Sequence, residues 1–234
     1  MSRVIVDPAQ AAAEEGRAFG FVAAEVVSYV FNPLLWPPLQ IGLILAHFGA
    51  PGSETLTGVL IGTVFFCLAP LGYLVAMHMR GEVASIEVRE REKRTKPLLV
   101  GITANLVGLA LLWLLIDTAA PVVLIIALLY PLNTAITLLV TLRFKISIHV
   151  MAAAGLPAGL LFIAANDWAG LGDGVLLTVG GSALLLALIP LLVWARIRAR
   201  AHTPAEAIAG AAFGLIMPLL ELWLIAHVLL GLTA

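Results

Sequence analysis

Stretches of about twenty apolar residues recur along this chain, and the loops between them alternate between strongly basic and faintly acidic. No other feature restricts the fold so tightly. A hydrocarbon core needs about 20 apolar residues per helix, and seven stretches meet or approach that length: residues 34–50, 55–79, 97–116, 120–142, 148–165, 174–195 and 204–231. Of the 234 residues, 62% are hydrophobic and only 12% charged, more apolar side chain than a soluble core of this size needs. The expected fold is therefore all-α, a polytopic transmembrane bundle of six to seven spans. Residues 8–31 mix Glu14, Glu15, Arg17 and Glu25 with apolar residues, which suits a helix lying in the membrane interface. The expected organisation is an N-terminal interfacial segment, residues 1–33, followed by a transmembrane domain, residues 34–234. The N-terminus lacks the basic-then-apolar layout of a signal peptide.

Charge sorts the loops into two faces. The loops after the second, fourth and sixth spans hold Arg80, Arg89, Arg91, Lys93, Arg94, Lys96, Arg143, Lys145, Arg196, Arg198 and Arg200, and Arg3 and Arg17 precede the first span on the same side. The opposite loops hold Glu54, Asp117, Asp167 and Asp173 and no base. A miscounted span would have scattered bases over both faces. By the positive-inside rule the basic face is cytoplasmic, in a prokaryotic inner membrane. Trp36 and Trp194 fall near the basic face, and Trp113, Trp168 and Trp223 near the acidic one. Prolines 70, 131, 157, 190 and 218 inside the spans predict kinks, and Gly155/Gly159 and Gly210/Gly214 have the small-x-x-x-small spacing of closely packed helices. The one cysteine, Cys67, excludes an internal disulfide.

Three basic loops on one face act as topology signals whatever else they do. Their patterning adds more. The third loop reads Trp194-Ala-Arg196-Ile-Arg198-Ala-Arg200-Ala-His202-Thr-Pro-Ala-Glu206, which places an arginine, a histidine and an acid at spacings of six and four. The second contains Lys145, Ser147, Ile148 and His149 at the head of a span, and the first contains Arg89, six residues, Lys96 and Pro97. Each loop thus offers phosphate-binding groups, and two add a histidine.

At these residues the chain resembles the type 2 phosphatidic acid phosphatase superfamily, whose signatures are K-x6-R-P, P-S-G-H and S-R-x5-H-x3-D. The third signature corresponds to Arg196-x5-His202-x3-Glu206, with Glu for Asp. The second corresponds to Ser147-Ile148-His149, without the Pro and Gly. The first corresponds to Arg89-x6-Lys96-Pro97 with the basic residues exchanged in kind, or to a register in which Arg94 takes the phosphate-binding role. The likeness reaches from residue 89 to 206. It implies a phosphatase acting on a membrane lipid phosphate, either a glycerolipid phosphate or a polyprenyl phosphate or diphosphate, through a phosphohistidine on His202. Glu206 is expected to orient that imidazole and His149 to act as general acid. Arg196, Lys96, Arg89, Arg94, Lys145 and Ser147 are expected to hold the phosphate. No metal or other cofactor is implied, since no aspartate-rich pair suited to magnesium is present. The bilayer and its lipid are the expected partners, with no nucleic acid.

Plainer readings stand beside these. Thr203-Pro204-Ala205-Glu206 is a helix start with a capping box, so Glu206 can be a cap, an orienting group or both. Ser147 can be an N-cap. His47, His78 and His227 read as interfacial, and Asn105 and Asn133 as hydrogen-bonding groups between helices. The second functional reading is a non-catalytic relative that serves as a membrane scaffold or a lipid-binding or transport subunit. A prenyltransferase would need paired magnesium motifs that the chain lacks.

Overall fold

The computed structural model describes residues 8–88, 90–118, 120–165 and 174–229. Arg3, Arg89, Asp167, Trp168 and Asp173, named above, lie outside the described residues, as do the side chains of Glu14, Glu15 and Arg17. The described residues are mostly helical and contain no strand. The elements are α1 (Pro8–Val30), α2 (Trp36–His47), α3 (Gly52–Ile61), α4 (Ala69–Met79), α5 (Thr95–Leu115), α6 (Ala120–Thr141), α7 (Ile148–Ala165), α8 (Gly174–Arg198) and α9 (Pro204–Trp223). A π-helical stretch, Gly62–Leu68, joins α3 to α4 without a break, and Pro70 follows it. A second one, Leu224–Leu229, extends α9.

Among the described residues six stretches are long and apolar enough to cross a membrane: Ala18–His47, Gly52–Met79, Arg91–Leu115, Ala120–Thr141, Thr178–Arg198 and Pro204–Val228. Helix α7 is also apolar but shorter than these. Large apolar side chains face outward, with Leu43, Trp113, Leu139 and Leu186 all more than half exposed. Such a surface is stable against lipid tails and not against water. The chain is a multi-pass membrane protein.

The helix breaks near residue 33, where the Asn32 side chain accepts from the Leu34 N–H at 3.0 Å and Pro33 begins a 3-10 turn. Yet α2 has only 12 residues, about 18 Å of helix, short of a hydrocarbon core about 30 Å thick. The apolar stretch that is long enough takes in part of α1 as well. Ala24 of α1 meets Ala195 and Ala199 of α8, and an added Cβ on Gly20 would stand 2.8 Å from the Arg198 Nε. Small residues let α1 lie directly on α8.

Two apolar cores hold the bundle. One joins α2, α3, α5 and α6 through Ile41, Leu45, Ile61, Leu112 and Val123. The other joins α7, α8 and α9 through Val150, Ala154, Leu188, Leu192 and Ala207. The expected close packing is strongest at α7 and α9. A Cβ on Gly214 would lie 2.0 Å from the Met151 carbonyl oxygen, and one on Gly210 would lie 2.6 Å from that of Ser147. These contacts draw the starts of the two helices together, and both helices start at the basic face.

Candidate phosphate site at the basic end of a deep cavity

Helix α8 ends by a reversal that needs no glycine. Arg200 adopts φ 52°, and the Ala201 N–H bonds back to the Arg196 carbonyl at 3.1 Å, which satisfies a carbonyl at the helix end. Four residues later α9 begins with a complete capping box. Thr203 Oγ1 accepts from the Glu206 N–H at 3.3 Å, and Glu206 Oε2 accepts from the Thr203 N–H at 3.2 Å. The same Oε2 stands 2.9 Å from His202 Nδ1. Glu206 therefore caps the helix and orients the imidazole with one oxygen. A carboxylate can only accept, so Nδ1 carries the hydrogen and Nε2 keeps its lone pair.

His202 is buried, with 2% of its side chain exposed. Burial first, then the charges of Arg94, Arg196 and Lys145 and the neighbouring His149, push its pKa down to about 2. The ring is neutral at physiological pH, the form in which a nitrogen can act as nucleophile.

A cavity of about 290 Å³ opens onto this ring. His202, His149, Arg94, Arg196 and Glu87 line one end of it. From there it runs into the bundle past Pro97, Gly101 and Asn105 of α5 and past Asn133 and Tyr130 of α6. From Pro97 to Asn105 the lining advances about 12 Å along the helix. Toward the interior the walls are mostly apolar, with Leu98, Ile126, Leu129 and Leu156 among them. Asn133 donates to Glu221 Oε2 of α9 at 2.6 Å, the bond between helices expected of it. Tyr130 OH donates to Gln40 of α2. The Asn105 side-chain oxygen is buried with no hydrogen-bond partner, on a residue that lines the cavity.

The residues expected to hold phosphate do not all gather here. Arg94 and Arg196 line the cavity. Lys96 is exposed and outside it, so of the two registers for the first loop the one through Arg94 reaches the site. Arg89 lies outside the described residues. Lys145 donates to the Ala201 carbonyl at 3.0 Å and stands 3.7 Å from Glu206 Oε2, tying the second loop to the third. Burial chiefly lowers its pKa. Ser147 is fully buried and its hydroxyl has no partner, so it neither caps α7 nor lines the cavity. Its backbone N–H donates to the Glu206 carbonyl at 3.2 Å, which fixes α7 against α9. Ile148 and His149, the next two residues, face the cavity.

One residue at this site was not legible in the sequence. Glu87, in the loop between α4 and α5, forms a two-pronged ion pair with Arg196, Nη1 to Oε1 at 2.8 Å and Nη2 to Oε2 at 3.0 Å. The partners are 109 positions apart, and nothing in a loop of alternating acids and bases marks one glutamate for that contact. The neighbouring Val88 takes φ 43°, and its carbonyl accepts from Arg94 Nε at 2.9 Å, while Arg94 Nη1 donates to the Ile146 carbonyl at 3.1 Å. Among the described residues no group of three or more His, Cys, Asp or Glu side chains is arranged to hold a metal. No family model, curated protein or solved structure matches this chain.

Proposed function

We propose that this protein is a membrane-embedded lipid-phosphate phosphatase that works through a phosphohistidine on His202 without a metal. The observation that carries this reading is the neutral His202, oriented through Nδ1 by Glu206 at 2.9 Å, on the wall of a cavity that it shares with Arg94, Arg196 and His149. The resemblance to the type 2 phosphatidic acid phosphatases rests on the same residues.

In the reaction, His202 Nε2 attacks phosphorus and the bond from phosphorus to the lipid oxygen breaks. His149 relays a proton carried in on the substrate's phosphate to that oxygen, and the lipid alcohol leaves. Water then attacks the phosphohistidine, His149 takes a proton from it, and phosphate departs with the phosphorus–nitrogen bond broken. Glu206 accepts the Nδ1 hydrogen throughout and stabilises the positive charge that builds on the ring. Arg94 and Arg196 spread the charge of the equatorial oxygens. The cavity's mostly apolar inner walls take the lipid tail.

Two features favour a lipid over a soluble ester. The reactive ring is buried, and the only cavity found at it among the described residues runs between helices that expose their apolar side chains to the bilayer. Detergent-purified protein, with chelator present, is expected to release phosphate from a long-chain glycerolipid phosphate or polyprenyl phosphate. Its kcat/KM on these is expected to exceed clearly that on a short, water-soluble ester. Equal efficiency on the short ester counts against the lipid assignment, and absence of any phosphate release counts against the phosphatase.

The site faces the cytoplasm on this reading, because the basic loops would otherwise have to be translocated against the bias acting on short loops. In a Cys67→Ala background, a cysteine replacing Arg143 should resist an impermeant thiol reagent until cells are opened. One replacing Ser53, at the opposite end of the spans, should react in intact cells. The reverse pattern inverts the topology.

A further inference from the structure

Arg196 has the chemistry of a phosphate ligand, yet both of its terminal nitrogens already hold an anion. The guanidinium fork binds carboxylate and phosphate with the same two parallel hydrogen bonds, and here Glu87 supplies the carboxylate at 2.8 and 3.0 Å. Arg196 is 3% exposed and Glu87 14%, and both line the cavity beside His202 and His149.

We propose that Glu87 is an internal substitute for phosphate on Arg196 and that it selects which phosphates the site admits. The proposal rests on the phosphatase reading's assignment of Arg196 and Arg94 to the phosphate. A bilayer surrounds the site with phosphodiester headgroups, each carrying a single negative charge on its phosphate. Such a group exchanges one monoanion for another on Arg196 and gains nothing in charge. It also loses translational freedom on binding, which the tethered Glu87 does not. A terminal phosphate, at a charge of about −1.5 to −2 near pH 7, gains charge in the exchange. Glu87 thus keeps the membrane's own phosphodiesters out and yields to a terminal phosphate.

The backbone next to Glu87 is built for the exchange. Val88 sits at φ 43°, a left-handed conformation that strains a β-branched residue. Its carbonyl occupies the Arg94 Nε. Residues 87 and 88 therefore engage both cavity-lining arginines together, one through a side chain and one through a carbonyl. An arriving phosphate that displaces Glu87 from Arg196 loosens the turn that also holds Arg94, so both guanidinium groups become available in one movement.

Binding alone tests this, apart from turnover. Wild-type and Glu87→Gln proteins, each in a His202→Ala background, are titrated in detergent at pH 8 with inorganic phosphate, mostly dianionic there, and with dimethyl phosphate, a monoanion. The readout is the shift of the thermal unfolding midpoint. The protein with Glu87 should be stabilised by inorganic phosphate and not by dimethyl phosphate. Glu87→Gln should respond to both, with half-saturation by inorganic phosphate about ten-fold lower, the worth of one charge-assisted contact. Unchanged half-saturation with discrimination intact overturns the proposal and leaves the pair a purely structural one. Should Glu87→Gln not fold, Glu87→Asp keeps the charge but withdraws the carboxylate by one methylene. A several-fold drop in half-saturation then supports the proposal, and no change overturns it. The expected binding pattern without lipid phosphate hydrolysis by the protein that retains His202 removes the phosphatase reading and leaves an anion site selected by Glu87. No response to either anion in any variant removes both.

Discussion

The turn between α8 and α9 and the loop between α4 and α5 meet at the same cations, but different forces build them. In the turn the bonds that set the imidazole are short-range. The left-handed Arg200, the Thr203–Glu206 capping box and the His202–Glu206 contact all join residues within five positions of one another. In the loop the decisive bonds are long-range: Arg196 to Glu87 spans 109 positions and Arg94 to Ile146 spans 52. Local bonds form wherever the helix forms, and they leave the imidazole with one tautomer and one direction. The long-range bonds exist only when α5, α7 and α8 are packed, and Val88 is held in a strained conformation while they last. The turn is a fixed tool, and the loop is the part of the site that can exchange partners.

The largest expected effect lies on the fixed side. Replacing His202 by Ala removes the nitrogen that accepts the phosphoryl group, and phosphate release should fall by at least about a thousand-fold, as for loss of other enzyme nucleophiles. With an activated aryl phosphate, whose leaving group needs no proton, His149→Ala should retain most of its first-turnover burst of aryl alcohol while His202→Ala loses it. Full activity in His202→Ala ends the mechanism.

Next is Arg94, the cation shared by both regions. Arg94→Ala should lower kcat/KM by about a hundred-fold or more, typical of a lost donor to a charged transition state. Lys96→Ala should change it by less than about two-fold, because an exposed lysine outside the cavity contributes little. The contrast between these variants measures the register of the first loop. An equal loss in both would mean that Lys96 moves to the phosphate.

That register shows where the sequence stops being informative. The spans were legible because hydropathy is a sum over twenty residues, and the sidedness of the basic loops because short loops keep their charges together. The α9 start was legible down to its atoms, since Thr203, Pro204 and Glu206 obey rules that need no partner elsewhere. Arg94 against Lys96 was not legible. They are two residues apart, hence on different sides of the first turn of α5, and only the position of α7 decides which side meets the cavity. Glu87 was hidden for the same reason, among eight other charged residues within seven positions. The Ser147 hydroxyl, expected on phosphate or on a cap, is buried under α9 because Gly210 lets the helices close over it. The helix in the N-terminal region was legible, and the alanines by which it meets α8 were not.

Glu206 uses one of its two carboxylate oxygens, Oε2, for both roles, and an intermediate effect should separate them. Glu206→Gln keeps an oxygen for the Thr203 N–H or for His202 but stabilises imidazolium less. The rate should fall roughly ten- to a hundred-fold, as when other orienting partners are removed, while loss of the cap costs only about 1 kcal/mol of stability. Measuring kcat per folded molecule beside the unfolding midpoint distinguishes them. A lowered midpoint with an unchanged rate leaves Glu206 as a cap alone.

The smallest effect is one of pH, and it probes the fixed side without disturbing the loop. His202 titrates at about 2 in the folded protein and near 6.5 in an unfolded chain. Between those values the unfolded chain binds the proton and the folded one does not. The stability tied to this difference is therefore complete above about pH 6.5 and drains away as the pH falls toward 2. His202→Asn cannot titrate, so its unfolding midpoint should decline less steeply than that of the unaltered protein between about pH 6.5 and pH 4.5. The activity should behave differently. Because the folded ring stays neutral across this range, any acid limb in kcat/KM above pH 4 belongs to another group, with the second ionisation of the substrate phosphate, near pH 6, the first candidate. A substrate analogue whose phosphate loses its second proton at lower pH should shift that limb to lower pH. A limb that stays fixed while the analogue changes would assign it to the protein, and identical midpoint slopes for the two proteins would mean that His202 is protonated in the fold after all.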